Sequence, residues 1–459
     1  MLGRGILPEI ADLIQHRDFL TLRALFEDWH PSEIADAVAD LHERDRAIVF
    51  RLLSKAMAAD VFEYLDIEAQ KSLLKAMGQD EVGAILNEMS PDDRTAFLEE
   101  LPGPVIRQLI ELLTPSERVV ARSLLGYPAG SVGRLMTPEY VAVLKEWSVE
   151  RVLEHIRTTA RGIEAMDHLF VVDAAGRLID DIRLRDILLA SLTTPVLALM
   201  DETFVSLKST DVKEDAVQLF KKYDRSALPV VDTDGFLLGI VTIDDVLDVV
   251  EEINTEDIQK FGGQEALEYP YAQTPVFQLV KKRAAWLVLL FLGEMLTATA
   301  MGYFQAEISR AVVLALFVPL IISSGGNSGS QAATLIIRAM ALQEITLRDW
   351  WLVMRREVLS GLLLGVVLGC IGFLRIALWS AFSNLYGPHW LLVALTVAVS
   401  LVGVVMWGTL SGSMLPFALR RLGFDPASSS APFVATLVDV TGLAIYFSLA
   451  AIILRGTLL

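Results

Sequence analysis

The sequence has few of the groups on which enzyme chemistry and disulfide scaffolds depend. Its 459 residues include one cysteine, Cys370, which lies in an apolar run and cannot form an internal disulfide. Of the six histidines, one, His389, follows residue 168. The second half of the sequence also has no Cys-rich cluster and no Gly-rich phosphate loop. These absences argue against an enzyme, and we expect Cys370 to contribute packing alone.

Charged residues are scarce in one part of the chain. Residues 271–459 contain 12 Lys or Arg and 7 Asp or Glu, against 27 and 50 in residues 1–270. The chain therefore joins an acidic body of net charge −23 to an apolar one of net charge +5. The acidic body repels nucleic acid and anionic lipid headgroups and attracts cations, so we expect no nucleic-acid partner. The apolar body is suited to a lipid bilayer.

A 24-residue period runs through residues 1–130. Similar ten-residue segments begin at Leu41, Leu65, Met89 and Leu113. Helix-capping residues precede apolar residues at helical spacing, and a second short apolar stretch follows before the next copy. Four copies at one period predict helical hairpins stacked into a small superhelix, which forms an acidic N-terminal domain.

Two α/β units follow, in residues 131–196 and 197–250. Each has a short helix, an apolar strand that ends in Val-Val-Asp at Asp173 or Asp232, a Gly turn, and a further strand and helix. The pair resembles a tandem of cystathionine-β-synthase (CBS) domains. Such pairs commonly sense nucleotides or ions and pass the result to an attached enzyme or channel.

The next segment, residues 251–280, is predicted to connect these domains to the membrane. A strongly acidic helix is expected from Asp244 to Glu268, with little positive charge beyond Lys260. A helix with so many carboxylates repels itself unless something neutralises it.

Five apolar segments within residues 281–459 are long enough to cross a hydrocarbon core of about 30 Å. They are Ala284–Phe304, Ala311–Ile337, Val358–Trp379, Trp390–Leu419 and Pro432–Leu454. Nine Lys and Arg residues flank the spans on one side and three on the other. The positive-inside rule then places the N-terminus in the cytoplasm and the C-terminus outside, and the lack of a signal peptide agrees. We expect a multi-pass protein of the plasma membrane.

Carboxylates within an apolar span are costly, so each is a functional candidate. Asp439 lies about two turns into the last span, with apolar residues on both sides. One carboxylate is too weak to strip water from a small divalent cation, so symmetric subunits are predicted to place several around one axis. Glu294, halfway along the first span, either faces this pore, extends its carboxylate toward the membrane surface, or hydrogen-bonds between helices.

The second span contains Ser323-Ser-Gly-Gly-Asn-Ser-Gly-Ser330, after Pro319. Small and hydroxyl-bearing residues at this depth predict an interruption of the helix, whose freed carbonyl groups line an ion path. The alternative is that small residues let two helices pack tightly.

The order of parts and two membrane motifs resemble the MgtE family of magnesium transporters and channels over essentially the whole chain. The motifs are Gly325-Gly-Asn-Ser-Gly-Ser-Gln-Ala-Ala-Thr-Leu-Ile-Ile-Arg338 and Thr436-Leu-Val-Asp-Val-Thr-Gly442. The resemblance implies a homodimer with its pore on the two-fold axis. It assigns Asp439 as the selectivity carboxylate and implies that backbone carbonyls near Ser330 and Ala435 help to hold hydrated Mg²⁺. The expected fold class is multidomain, with a superhelical α-helical N-domain, an α+β CBS pair and a five-helix all-α transmembrane domain.

The resemblance also implies how the pore closes. Cytoplasmic Mg²⁺ bridges carboxylates among the N-domain, the CBS pair and the acidic helix, called the plug helix in this family. The corresponding positions are Asp92, Glu214, Asp224, Asp245, Asp248, Glu256 and Asp257. The electrostatic argument stands without the family, because a divalent ion converts repulsion between facing carboxylates into attraction. The alternative for each residue is a solvated surface acid.

Many CBS pairs bind adenine nucleotides through a Gly-h-Ser/Thr-x-x-Asp motif, where h is hydrophobic. The second unit has this motif from Gly239 to Asp245, with Thr242 as the hydroxyl residue. The first unit reads Asp181-Ile-Arg-Leu-Arg-Asp186, with Arg in place of the hydroxyl. Thr242, Arg185 and Asp186 are therefore candidates for binding ATP, which the sequence leaves open.

Three interpretations compete with a Mg²⁺ channel. The same carboxylate ring could pass another divalent ion such as Mn²⁺ or Co²⁺, either through a channel or on a carrier. A CBS-regulated membrane enzyme lacks a recognisable catalytic set, and a sensor anchored by its spans needs neither Asp439 nor a broken second span. Glu294 stands where the family resemblance predicts a neutral residue, so its role is unassigned. No nucleotide-hydrolysis motif is present, which predicts passive transport.

Overall fold

A computed structural model of the chain describes residues 2–39, 41–160, 163, 165–267, 271, 274–342, 344–383 and 386–458. The chain divides into two compact units, Met1–Val250 and Glu251–Leu459. The first holds a helical domain and two small α/β domains, and the second holds the long apolar helices. The multidomain fold class predicted from the sequence is confirmed.

Ten helices form the N-terminal domain in the described residues. They are α1 (Leu2–Gln15), α2 (Phe19–Glu27), α3 (Pro31–Ala39), α4 (Glu43–Leu52), α5 (Lys55–Glu63), α6 (Ile67–Ala76), α7 (Gln79–Glu88), α8 (Pro91–Glu99), α9 (Gly103–Leu112) and α10 (Pro115–Leu124). Their apolar faces form one continuous core, in which Phe62 meets Phe97 edge to face at 5.3 Å between ring centres. Each helix is too short to be stable alone, so this shared core holds the domain together.

The 24-residue period appears in the structure as a repeated hydrogen bond. The sixth residue of each copy donates to the backbone carbonyl eight residues earlier, in the last turn of the preceding helix. The bonds join Arg46 Nε to Val38 (3.2 Å), Gln70 Nε2 to Phe62 (2.8 Å), Arg94 Nη1 to Leu86 (3.0 Å) and Arg118 Nε to Ile110 (3.2 Å). Carbonyls in the last turn have no partner within their own helix, so this side chain satisfies each helix end and links consecutive repeats.

The two α/β domains have the same topology. The first contains α11 (Val132–Leu135), β1 (Ala142–Leu144), α12 (Val149–Thr159), β2 (His168–Val172), β3 (Leu178–Arg183) and α13 (Leu184–Leu189). The second contains β4 (Leu207–Lys208), α14 (Lys213–Tyr223), β5 (Ala227–Val231) and β6 (Leu237–Thr242). In each sheet the middle strand pairs in parallel with the first strand and antiparallel with the third. All five residues of β5 are buried, which explains why that strand reads as an unbroken apolar run.

The acidic helix α15 (Ile243–Phe261) begins directly after β6. It ends at Phe261 because Gly263 adopts a left-handed conformation (φ +74°). The Gln264 amide then donates to the Gln259 carbonyl, which closes the helix with a glycine cap. The expected continuation of the helix to Glu268 is therefore wrong, and Glu268 itself lies outside the described residues.

Five helices of the second unit are long and apolar enough to cross a membrane, as predicted. They are α16 (Val276–Tyr303), α18 (Val318–Ala341), α19 (Trp350–Phe382), α20 (Trp390–Arg421) and α21 (Ala431–Ile453), with a short α17 (Gln305–Arg310) after the first. Helices α18, α19 and α21 pack around α20, whereas α16 packs on α21 and has no buried residue. The chain is therefore a multi-pass membrane protein with one peripheral span.

The predicted interruption of the second span at Ser323–Ser330 is wrong. Helix α18 runs through these residues without a break, and the irregular stretch is a 3₁₀ turn upstream, Val312–Phe317. The small residues instead let helices approach closely. A β-carbon at Gly325 would meet Val404, and one at Gly329 would lie 2.9 Å from the Gly408 carbonyl oxygen. The alternative of tight helix packing is the correct one.

Candidate ion pathway and regulatory carboxylates

Asp439 lies two turns into α21. Ser430 caps this helix by accepting a hydrogen bond from the Phe433 amide (3.4 Å). Val438 is buried toward α18, while Asp439 is half-buried. A β-carbon at Gly326 would lie 3.6 Å from Asp439 Oδ1, so α18 presents bare backbone to the carboxylate. The one acidic side chain of the last span is therefore partly accessible and lies at contact distance from a position of α18 that carries no side chain.

Glu294 of α16 lies in the neighbourhood of Asp439. The preceding residue, Gly293, contacts α21, since a β-carbon there would be 3.0 Å from Thr436 Cγ2. The two carboxylates are close enough to repel one another. Glu294 is exposed and accepts a long hydrogen bond from Thr297 Oγ1 (3.4 Å). The carboxylates of two different spans thus contribute negative charge to the same region of the membrane domain.

Ser330 and Ala435, the two candidate carbonyl donors, sit on facing helices. The Ser330 hydroxyl donates to the Ala431 carbonyl (3.1 Å) and so ties α18 to the first turn of α21. Its own carbonyl accepts from Thr334 Oγ1 (2.8 Å) within α18. Ala435 packs against Gly326, at 3.5 Å from a β-carbon built there. A role for these carbonyls in holding hydrated Mg²⁺ stays a prediction.

Four carboxylates of the first unit lie near enough to affect one another electrostatically. Asp92 and Asp93 begin α8, and Asp244 and Asp245 begin α15. Burial, with the adjacent Asp93, raises the pKa of Asp92 to about 7, and burial with Asp92 raises the pKa of Asp245 well above its ordinary value. Burial also raises the pKa of Asp93, and Asp244 adds to that rise. Asp92 Oδ1 is buried and has no hydrogen-bond partner among the described residues. This cluster favours bound protons or a bound cation over bare charge.

In the second CBS unit, two side chains of the nucleotide motif hydrogen-bond to each other. Thr242 is buried, and its hydroxyl donates to Asp245 Oδ2 (2.6 Å) while its amide approaches the same oxygen (3.3 Å). Asp245 thereby caps α15 and also faces Asp92. In the first unit, Arg185 Nε lies 3.5 Å from Asp186 Oδ1, and both side chains are exposed.

The structure separates two of the predicted closing residues. Glu214 lies in the first turn of α14, and Asp224 is its left-handed C-cap (φ 50°). The helix between them is about 16 Å long, so within one chain they cannot bind the same ion. Asp248 lies one turn after Asp245 on α15 and is exposed.

The end of α15 is neutralised by a lysine. Lys260 Nζ lies 2.7 Å from Glu256 Oε1 and 2.9 Å from Asp425 Oδ2, in the loop that precedes α21. Burial alone would lower the pKa of Lys260, but the hydrogen bonds and charges of Asp425 and Glu256 together outweigh it and raise that pKa above its usual value. Burial, and then Asp425, raises the pKa of Asp257. Glu256 is thus paired with Lys260, and Asp257 lies close enough to Asp425 to be affected by its charge.

Sequence reasoning missed Asp93 and Asp425 as members of these clusters. Asp93 follows Asp92 directly, and Asp425 is the acid nearest the start of the last span, so charge and position were available signals. Across the described ranges, no three His, Cys, Asp or Glu side chains converge closely enough to form a complete metal site. Any cation held here needs water or a second chain to complete its ligands.

Family models match three parts of the chain. Residues 318–449 match the MgtE divalent cation transporter model, and residues 29–130 match the MgtE intracellular N domain. The CBS domain model matches twice, at residues 132–193 and 196–252.

Curated relatives match the chain over almost its full length. A magnesium transporter MgtE of Thermus thermophilus is 39% identical, over 97% of this chain and 98% of the relative. One from Enterococcus faecalis is 30% identical, over 97% and 96%, and one from Bacillus subtilis is 28% identical, over 95% and 93%.

Two solved structures resemble the first part of the chain. The cytosolic domain of the Mg²⁺ channel MgtE in complex with ATP is 36% identical, with a TM-score of 0.51 over 53% of this chain and 99% of that one. The soluble part of a magnesium transporter is 28% identical, with a TM-score of 0.52 over 55% and 99%. The N-domain and the CBS pair predicted from the sequence are thereby confirmed.

Proposed function

Because this chain belongs to the MgtE family of divalent cation transporters, whose curated members are magnesium transporters and not enzymes, we propose that it is a Mg²⁺-selective channel. The observation that carries the proposal is Asp439, which sits within the last span beside the bare backbone of Gly326. Mg²⁺ holds its water tightly, so a partly accessible carboxylate suits a hydrated ion better than a dry cage does. Glu294 adds negative potential to the same region.

We propose a homodimer whose pore lies on the two-fold axis. One chain supplies one Asp439, and in the described residues no third acid completes a site. Helix α16 packs on α21 but has no buried residue, so most of its surface is available to a second chain or to lipid. A two-fold axis near α21 would bring two copies of Asp439 together.

Cytoplasmic Mg²⁺ is proposed to close the channel through the acidic cluster of the first unit. Asp92 and Asp245 lie on different domains and repel each other when ionised. A divalent ion between them replaces that repulsion with attraction and fixes the start of α15. Glu214, Asp224, Asp248, Glu256 and Asp257 are proposed as further closing residues; Glu214 and Asp224 would act in separate sites.

The proposed setting is the plasma membrane, with the N-terminus in the cytoplasm and the C-terminus outside. A membrane potential of about 100 mV contributes roughly 2.3 kcal/mol per charge, which favours entry of a divalent cation without nucleotide hydrolysis. ATP binding at Thr242, Arg185 and Asp186 is proposed as a modulator, supported by the ATP complex of the similar cytosolic domain. ATP would have to compete with Asp245 for the Thr242 hydroxyl.

The test is ion flux into liposomes that contain the purified full-length protein. We expect Mg²⁺ entry with the wild type, a loss of at least about tenfold with Asp439→Asn, and a smaller loss with Glu294→Gln. Glu307→Gln is a matched control, because it removes one carboxylate from the connection between the first two spans. Equal entry of Mn²⁺ or Co²⁺ would replace Mg²⁺ selectivity with general divalent transport, and absence of any divalent flux would overturn the proposal.

A further inference from the structure

The C-terminal end of α15 is joined to the loop before α21 by a direct ion pair between side chains. Lys260 Nζ contacts Glu256 Oε1 on the same helix and Asp425 Oδ2 in the loop before α21. The Lys260 side chain is 31% exposed and that of Asp425 39%, so the contact is partly shielded from water. A single ammonium group therefore joins a helix to a loop across their interface.

The residues directly after α15 also contact the membrane helices, and these helices are bonded to each other at the same place. A β-carbon at Gly263 would lie 2.7 Å from Trp286 Nε1 of α16 and 3.4 Å from Pro432 Cγ of α21. The Trp286 indole donates to Ser430 Oγ (3.1 Å), and the Glu265 amide donates to the Lys282 carbonyl (3.3 Å). The segment that follows α15 thus touches the first turn of the helix that carries Asp439.

The charges around this contact oppose docking when Lys260 is removed. Glu256, Asp257 and Asp425 are three acids at one interface, and Asp425 contributes to the raised pKa of Asp257. Lys260 is the cation that neutralises two of them directly. Without it, like charges would face each other across the joint between α15 and the loop.

We infer that Lys260 is a built-in tether that holds the end of α15 against the loop before α21, so that part of channel closure does not depend on bound Mg²⁺. This regulatory role rests on the proposed channel function. Lys260 is a positioning residue, because it acts by holding α15 and contacts no transported ion. Cytoplasmic Mg²⁺ then adds to a contact that is already partly formed.

The direct test is hydrogen–deuterium exchange of the full-length protein in nanodiscs, followed at residues 256–266 in EDTA. Lys260→Met keeps the aliphatic stem and removes the charge, and we expect faster exchange in this segment. Lys260→Arg should restore wild-type exchange, and Lys281→Met, which removes an exposed lysine near the start of α16, should leave it unchanged. Saturating Mg²⁺ should reduce the difference. Unchanged or slower exchange in Lys260→Met would overturn the inference.

Flux measurements supply the functional readout. In Lys260→Met the cytoplasmic Mg²⁺ concentration that halves the flux should rise by about fivefold, the upper range for a partly exposed ion pair. The Asp425→Asn variant should give a similar rise, and the double variant should add little, because both changes break one contact. Additive effects would contradict a direct pair. If the wild type carries no Mg²⁺, the channel proposal fails, while the exchange experiment still decides the tether.

Discussion

Gly326 of the second span faces Asp439 of the fifth, with 3.6 Å between Asp439 Oδ1 and the position that a β-carbon would take at Gly326. An ordinary van der Waals contact of this kind admits one methyl group but not a branched side chain. We expect Gly326→Ala to keep Mg²⁺ flux within about twofold of wild type and Gly326→Val to reduce it by about tenfold. Liposome flux checks both, and Gly302→Val, which enters open space, serves as the control.

The acidic cluster predicts a pH-dependent stability of the first unit. The pKa of Asp92 is raised in the folded state, so the folded protein binds more protons than the unfolded chain between about pH 4 and 7. Its contribution to stability is therefore present at low pH and is lost as pH rises through about 7.

Asp92→Asn removes this loss. With EDTA present, the variant should melt above the wild type by about 3 °C or more at pH 8 and close to it at pH 5. Mg²⁺ at pH 8 should raise the melting temperature of the wild type more than that of the variant. A variant that is equally or less stable at pH 8 would contradict the repulsion assigned to this cluster.

Arg94 is expected to be indispensable to the N-domain. Its side chain is fully buried and contacts Glu117 Oε2 (2.6 Å) and the Leu86 carbonyl (3.0 Å). Arg94→Leu leaves a partly buried carboxylate and an unpaired carbonyl, and should lower the free energy of unfolding by about 3 kcal/mol. Arg94→Gln should cost less, because Gln70 makes the equivalent bond in another repeat. Chemical denaturation followed by N-domain fluorescence compares them, and equal costs would refute the capping role.

The contact between α18 and α20 should be intolerant of a single methyl group. A β-carbon at Gly412 would overlap the Gly329 carbonyl oxygen, which is backbone and cannot rotate away. We therefore expect Gly412→Ala to lower the thermal stability of the membrane unit by several degrees, whereas Gly302→Ala should have no effect. Melting of the detergent-solubilised protein measures this, and an unaltered melting temperature would show that the two helices can separate at no cost.

The composition of the sequence and its 24-residue repeat were sufficient to predict the domains of the molecule. Charge segregation identified the two bodies, the 24-residue period identified the helical repeats, and a carboxylate in an apolar run singled out Asp439. Each of these signals depends on residues close in sequence. The bond from the sixth residue of each repeat also had a sequence signal, since Arg46, Arg94 and Arg118 are spaced by multiples of 24.

Other features depended on which residues face each other. The residues from Ser323 to Ser330 have the composition of both a broken helix and a tightly packed one, and only the opposing Gly408 decides between them. The acidic pattern of α15 favours a helix that continues to Glu268, whereas the left-handed glycine at position 263 ends it. The pairing of Lys260 with Asp425 joins residues far apart in the sequence, and no local pattern contains that information.

The backbone-to-backbone contact of α18 with α20 also bears on biogenesis. Gly325 and Gly408 lie about 80 residues apart, so α18 emerges from the ribosome and enters the bilayer well before its partner exists. Until α20 is inserted, the surface of α18 around Gly325 and Gly329 contacts lipid or the insertion machinery instead of its partner helix. Substitutions in this groove should therefore reduce the yield of assembled protein during synthesis, even where the finished protein could tolerate them.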